Sequence, residues 1–174
     1  DFEDTLPTLK RLSIEGGKAR KLSESELKKI RFGYHASIAL IDLEVGRVLK
    51  ALEQKGLAEN TLVIFASDHG DMLGDRLQTK KGGFFYDACV RVPLLIRWPS
   101  RFSGGKKLPQ IVQLHDLAAT ILETAGMNRN ELQQIMPDAI NLIPVCAGES
   151  LVTHDAAYCV YRNSSLGGRN TNSP

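Results

Sequence analysis

Nothing in this sequence approaches the roughly 20 consecutive apolar residues of a membrane-spanning helix, and the opening DFEDTLPTLK lacks both the basic start and the apolar centre of a secretory leader. An excess of charge of one sign is missing as well. Lys+Arg 22 against Asp+Glu 20 leaves a net charge of +2, with the basic residues scattered, so neither nucleic acid nor a membrane is expected as a partner. Cysteine is sparse: Cys89, Cys146 and Cys159 are odd in number and lack metal-type spacing, which reads as free thiols, not a disulfide framework. No internal repeat is visible. With 174 residues and 43% hydrophobic composition, the chain can bury one ordinary core, and a soluble, globular domain is expected.

Residues 1–21 show no sustained period and read as a surface loop. Ser23 and Glu26 then form a capping box ahead of Leu27, Ile30, Tyr34, Ile38, Ile41, Val45, Val48 and Leu52. Those steps of three and four predict a long amphipathic helix ending near Lys55, with Gly56 as its left-handed cap. His35 beside the stripe is expected to be a partly buried helix histidine; Asp42 lies at the helix edge and is not counted in the site. After a short turn at 57–60, residues 62–66 read as a buried strand of a parallel sheet. Residues 92–98 form a second apolar run, and Pro93 suggests an edge position or a strand start, so the sheet is expected to be mixed and the fold α/β. Residues 99–109 read as an exposed loop. Asp116 is expected to cap a helix that Gly126 terminates, with His115 a capping-region histidine in preference to a metal ligand. Residues 128–150 read as an irregular connector with one short helical turn, 154–162 as a strand, and 163–174 as a flexible tail.

Chemistry concentrates between the two apolar runs. The strand at 62–66 ends at Ser67-Asp68-His69-Gly70, and in open α/β sheets ligands sit beyond the carboxyl ends of strands. An acid and an imidazole there suit a metal, with Gly70 free to bend the chain so that both can converge on one ion. Gly74-Asp75, Lys80-Lys81-Gly82, Phe84-Phe85-Tyr86 and Arg91-Val92-Pro93-Leu94 follow in order. Four such elements resemble the sulfatase family of the alkaline phosphatase superfamily from about Tyr34 to Ala125, with a thinner match through Arg162. The resemblance implies an alkaline-phosphatase-like mixed sheet flanked by helices in three layers. Residues 1–162 would then be the C-terminal portion of a sulfatase-type catalytic domain, with the smaller C-terminal subdomain starting near His154. It further implies that Asp68 and His69 bind a divalent metal and that Lys81, or its neighbour Lys80, contacts the sulfate, Lys81 being the catalytic candidate. The Lys81-to-Arg91 spacing favours Lys81, and an extended segment turns only one of the pair inward.

A carboxylate oxygen suits a hard ion, Ca²⁺ first with Mg²⁺ as an alternative, while an imidazole also accepts Mn²⁺ or Zn²⁺. Two ligands hold an ion poorly, so further carboxylates are expected from elsewhere. Compared with the family, the sequence lacks the Cys-x-Pro-x-Arg nucleophile motif, its serine variant and two acidic ligands, and Arg76 stands where many members have histidine after Gly-Asp. The expected partners are therefore a sulfate ester, small molecule or glycan, and the missing N-terminal half of the domain. The isolated chain is expected to be inactive. Phosphate or phosphonate ester hydrolysis on the same fold, and a non-catalytic α/β binding module, are the alternatives.

Overall fold

A computed structural model describes residues 22–81 and 85–160. The expected loop at 1–21, the tail at 163–174, and Gly82, Gly83 and Phe84 lie outside the described residues. Internal contacts divide the chain into two compact units, one of residues 1–42, 69–92 and 159–174 and one of 43–68 and 93–158. Helix α1, Glu24–Gln54, runs through the boundary in sequence. Its start is the predicted capping box: Ser23 N–H donates to Glu26 Oε2 at 2.9 Å, and Glu26 N–H donates to Ser23 Oγ at 3.3 Å. Its end is the predicted glycine cap, Gly56 at φ 66, with Leu57 N–H reaching back to the Leu52 carbonyl at 2.9 Å. The stripe, however, is only partly covered, with Leu27, Tyr34, Val45 and Leu52 half-buried. No residue of α1 is buried, Ile38, Ile41 and Val48 are exposed, and His35, expected to be partly buried, is exposed and edge-on to Tyr34. Along its 31 residues the helix is not apolar enough to cross a membrane, and no other described helix is either.

In the first unit, α1 holds a loop. The Leu27 side chain lies where a Cβ on Gly74 would be, 2.4 Å from its nearest methyl carbon, and the Arg31 Nε–H donates to the Leu73 carbonyl at 3.0 Å. The loop closes on itself through Leu73 N–H to Thr79 O and Gly74 N–H to Gln78 O, with Met72 buried beneath. A short helix the sequence reading did not foresee, α2 at Asp87–Val90, follows and buries Cys89.

The second unit contains the one sheet among the described residues. Strand β1, Val63–Ala66, pairs with β2, Leu94–Arg97, in the register Val63↔Arg97 to Ala66↔Leu94. The pairing is antiparallel, which corrects the parallel expectation for this strand. β1 is also only half-buried, with the opposed pair Phe65 and Leu95 exposed at 37% and 60%. β2 begins directly after Pro93, whose missing N–H would leave a gap in the ladder.

Three helices complete this unit: α3, Leu114–Thr124; α4, Arg129–Ile135; and α5, Ile143–Ala147. The last two replace the expected irregular connector. Asn128 caps α4 by accepting from Asn130 N–H at 2.8 Å, while Pro144 in the first turn of α5 and Gly148 at φ 80 after it mark both ends. The cap of α3 is Gln113, not Asp116 as expected. Asp116 is instead the third helical residue, and its Oδ2 accepts from Gln113 N–H at 2.7 Å in a capping box. Residues 154–160 form no strand, because their polar groups are taken by α3: Tyr158 N–H donates to Gln113 Oε1 at 2.7 Å and His154 Nε2 meets Asp116.

Around Asp116 and Thr120, both fully buried, sits a core of Ala119, Leu132, Leu142, Ile143 and Val145. Thr120 Oγ1 donates to the Asp116 carbonyl at 2.7 Å and accepts from Leu142 N–H at 2.9 Å. Thr120→Val keeps the shape but orphans a buried N–H, so it should cost about 1–3 kcal/mol in urea unfolding.

All three cysteines are free, as expected, and their environments rank their reactivity: Cys159 exposed, Cys146 half-buried, Cys89 buried. Burial pushes the Cys146 thiol above its ordinary range because it strips water from the thiolate, and the nearby Lys106 charge offsets only part of this. With its folded pKa above the unfolded one, Cys146 contributes stability below the unfolded thiol pKa and loses it as pH rises through the folded value. Time-resolved alkylation read by mass spectrometry should label Cys159 first, Cys146 next with a rate still climbing above the ordinary thiol range, and Cys89 only on opening. Labelling of Cys146 ahead of Cys159 would contradict this order.

Candidate active site

The SDHG segment follows β1, and its glycine has a steric reason to be there. A Cβ on Gly70 would lie 1.9 Å from the Ala88 carbonyl oxygen, inside any tolerable contact, while Gly70 N–H donates to the Cys89 carbonyl at 2.9 Å. Gly70 is not among the positive-φ residues, so close approach to α2, and not the bend the sequence suggested, demands glycine.

That contact fixes the backbone on which His69 stands. His69 Nδ1 lies 3.1 Å from the Gly70 carbonyl, and its Nε2 lies 2.6 Å from Lys81 Nζ. A carbonyl only accepts and an ammonium only donates, so these neighbours favour the proton on Nδ1 and leave the Nε2 lone pair facing Lys81. Lys81 is positioned in turn by Asp71, whose Oδ1 accepts the Lys81 backbone N–H at 2.7 Å. Lys80 is exposed. Asp68 is exposed as well.

The loop between His69 and Lys81 carries two non-glycine residues in the left-handed region, Leu73 at φ 47 and Arg76 at φ 48. Such residues cost about 1–3 kcal/mol each unless surrounding contacts hold them. Here the Arg31 bond holds Leu73, and the Arg76 guanidinium lies over the Tyr86 ring, 4.5 Å from its centroid. Arg91 of the RVPL segment pairs with Asp87 at 3.3 Å, but both side chains are 78% exposed, so this pair contributes little.

Sequence reasoning thus named His69 and Lys81, which the structure brings together, but missed Asp71. Its tie to Lys81 spans ten residues of loop and leaves no periodic signal. It also missed His154, read as part of a strand, although the side chain reaches Asp116.

In structure the chain is similar to a solved protein in complex with its substrate, D-glucosamine-2-N,6-O-disulfate. The TM-score is 0.64 at 30% identity, covering 74% of this chain and 26% of that one. The family model described as Sulfatase matches residues 4–127, more than half of the chain, and the chain belongs to the sulfatase family. Among curated relatives it is 37% identical over 110 residues to an arylsulfatase of Clostridium perfringens, covering 62% of this chain and 23% of the relative. It is 33% identical over 129 residues to the choline-sulfatase of Rhizobium meliloti, covering 73% and 24%. The chain therefore spans about a quarter of the length of these relatives.

One substitution made at two places tests the role of close approach. Gly70→Ala should destabilise by about 1–3 kcal/mol or displace α2, because backbone stands in the way. Gly46→Ala, in α1 with nothing within 4 Å of the new methyl, should stabilise by up to about 1 kcal/mol. Equal denaturation midpoints for the two variants would show that Gly70 is not sterically required.

Proposed function

We propose that these residues form the part of a sulfuric ester hydrolase that holds the divalent cation and one sulfate oxygen. Family membership supports the reaction class, and the observation that carries the assignment is the His69–Lys81 contact of 2.6 Å, tied down by Asp71. Asp68 supplies a hard oxygen donor and His69 an imidazole whose Nε2 lone pair faces Lys81. The Asp68 oxygen and the imidazole together admit a divalent cation, and the family resemblance puts Ca²⁺ first, with Mn²⁺ or Mg²⁺ as alternatives. Bound there, the cation would neutralise charge on the transferring sulfuryl group.

Lys81 adds a mobile point charge for a sulfate oxygen, the role in which lysine serves oxyanions. His69 Nε2 has a single lone pair, so the Lys81 ammonium and a cation are rivals for it, and Lys81 is released for sulfate when the imidazole is otherwise engaged. Lys80, exposed beside it, is secondary.

The sequence has no Cys-x-Pro-x-Arg motif and only two of the expected metal donors, so the reading includes a further segment that supplies the nucleophile and remaining carboxylates. The uncovered pair Phe65 and Leu95 and the exposed Ile38, Ile41 and Val48 of α1 support further layers of a mixed, three-layer sheet packed against these elements. A sulfated small molecule or glycan is the substrate class, as the sulfated sugar bound by the structural relative suggests.

Calorimetry on residues 1–174 should find Ca²⁺ binding with a Kd of about 10⁻⁴ M or weaker, lost in Asp68→Ala. An aryl sulfate reporter with Ca²⁺ or Mn²⁺ should show no turnover. Saturable turnover that vanishes in Asp68→Ala would place the nucleophile within these residues and overturn the divided-site reading.

A further inference from the structure

We infer that His115, Asp116 and His154 form a second metal site, for a borderline transition-metal ion of the Zn²⁺ class. The three offer one imidazole nitrogen each from the histidines and a carboxylate oxygen, all within 4.8 Å of one another. His154 Nε2 sits 2.9 Å from both Asp116 oxygens, on the bisector of the carboxylate, and His115 Nε2 lies 3.6 Å from Oδ1. The two rings are 5.7 Å apart at their centroids and inclined by 62°, so both edges turn toward the same carboxylate.

The donor types decide the class of ion. Two neutral imidazoles and one carboxylate suit Zn²⁺, Ni²⁺ or Cu²⁺, whereas Ca²⁺ and Mg²⁺ prefer oxygen alone. The support around the carboxylate is already built. Asp116 is fully buried, and while its oxygens face the histidines they also accept Gln113 N–H at 2.7 Å and Ile140 N–H at 2.9 Å. Such outer hydrogen bonds orient a ligating carboxylate and tune its affinity. Access comes from one side: the His115 side chain is 41% exposed, His154 13% and Asp116 not at all. Metal–nitrogen bonds of about 2.0–2.1 Å require the imidazoles to draw in around the ion. His115, bonded otherwise only to the Asp138 carbonyl at 3.3 Å, is free to make that rotation.

A structural clamp without metal is the competing role, because His154 already bridges to Asp116 directly. The two roles predict different responses of tag-free protein to zinc. Calorimetry in the Asp68→Ala and His69→Ala background, which removes the other donor pair, should find one equivalent of Zn²⁺, and Co²⁺ should give the visible absorption of a nitrogen-ligated ion. Zinc should raise the thermal midpoint. His115→Ala, at an exposed position that leaves the His154–Asp116 contact intact, should keep the apo midpoint while weakening zinc binding about tenfold or more. Absence of saturable binding, or a zinc affinity and a zinc-induced rise in midpoint that His115→Ala leaves unchanged, would overturn the site and leave the clamp.

Discussion

The approach of two backbones at Gly70 is the contact on which the candidate site depends. With no side chain at this position, the SDHG segment lies against the Ala88 carbonyl and donates to Cys89, and so His69 is set at a fixed height on α2. Rigid placement is what a catalytic or ligating group needs, since errors of about 1 Å cost large factors in rate. Everything that follows in the loop is secondary to that anchoring: the closure of Leu73 on Thr79, the strained residues Leu73 and Arg76, and the return of Lys81 to His69. Asp71 completes it with one bond to the Lys81 backbone N–H, which fixes the point from which the lysine stem leaves.

The second unit is organised by a different polar group. A buried carboxylate is expensive unless its oxygens are all engaged, and Asp116 meets that demand with two backbone N–H groups and an imidazole. By accepting from Gln113, Ile140 and His154 it ties the start of α3 to two segments that have no regular structure of their own. Thr120, one turn on, does the same for Leu142. Polar satisfaction, together with a small apolar core, therefore fixes the path of residues 138–158.

Apolar surface stays bare on two of the described elements. A 31-residue helix with no buried residue, and a strand pair showing Phe65 and Leu95 to solvent, cannot account for their own hydrophobic pattern. The chain spans about a quarter of the length of the arylsulfatase and choline-sulfatase relatives.

Local rules were enough for much of this. The sequence alone determined the capping box at Ser23, the glycine stops at Gly56 and Gly126 and the strand start after Pro93, because each depends on neighbours a few residues away. Tertiary structure decided what those neighbours could not. The antiparallel pairing of β1 and β2, the Asp71–Lys81 tie and the meeting of His154 with Asp116 join residues ten or more positions apart. The same holds for the glycine at position 70, whose need for a missing side chain arises only when the Ala88 carbonyl, eighteen residues later in the chain, is folded against it. Distant partners of this kind are selected by packing and by the cost of leaving a buried polar group unpaired, and neither is written in the local pattern.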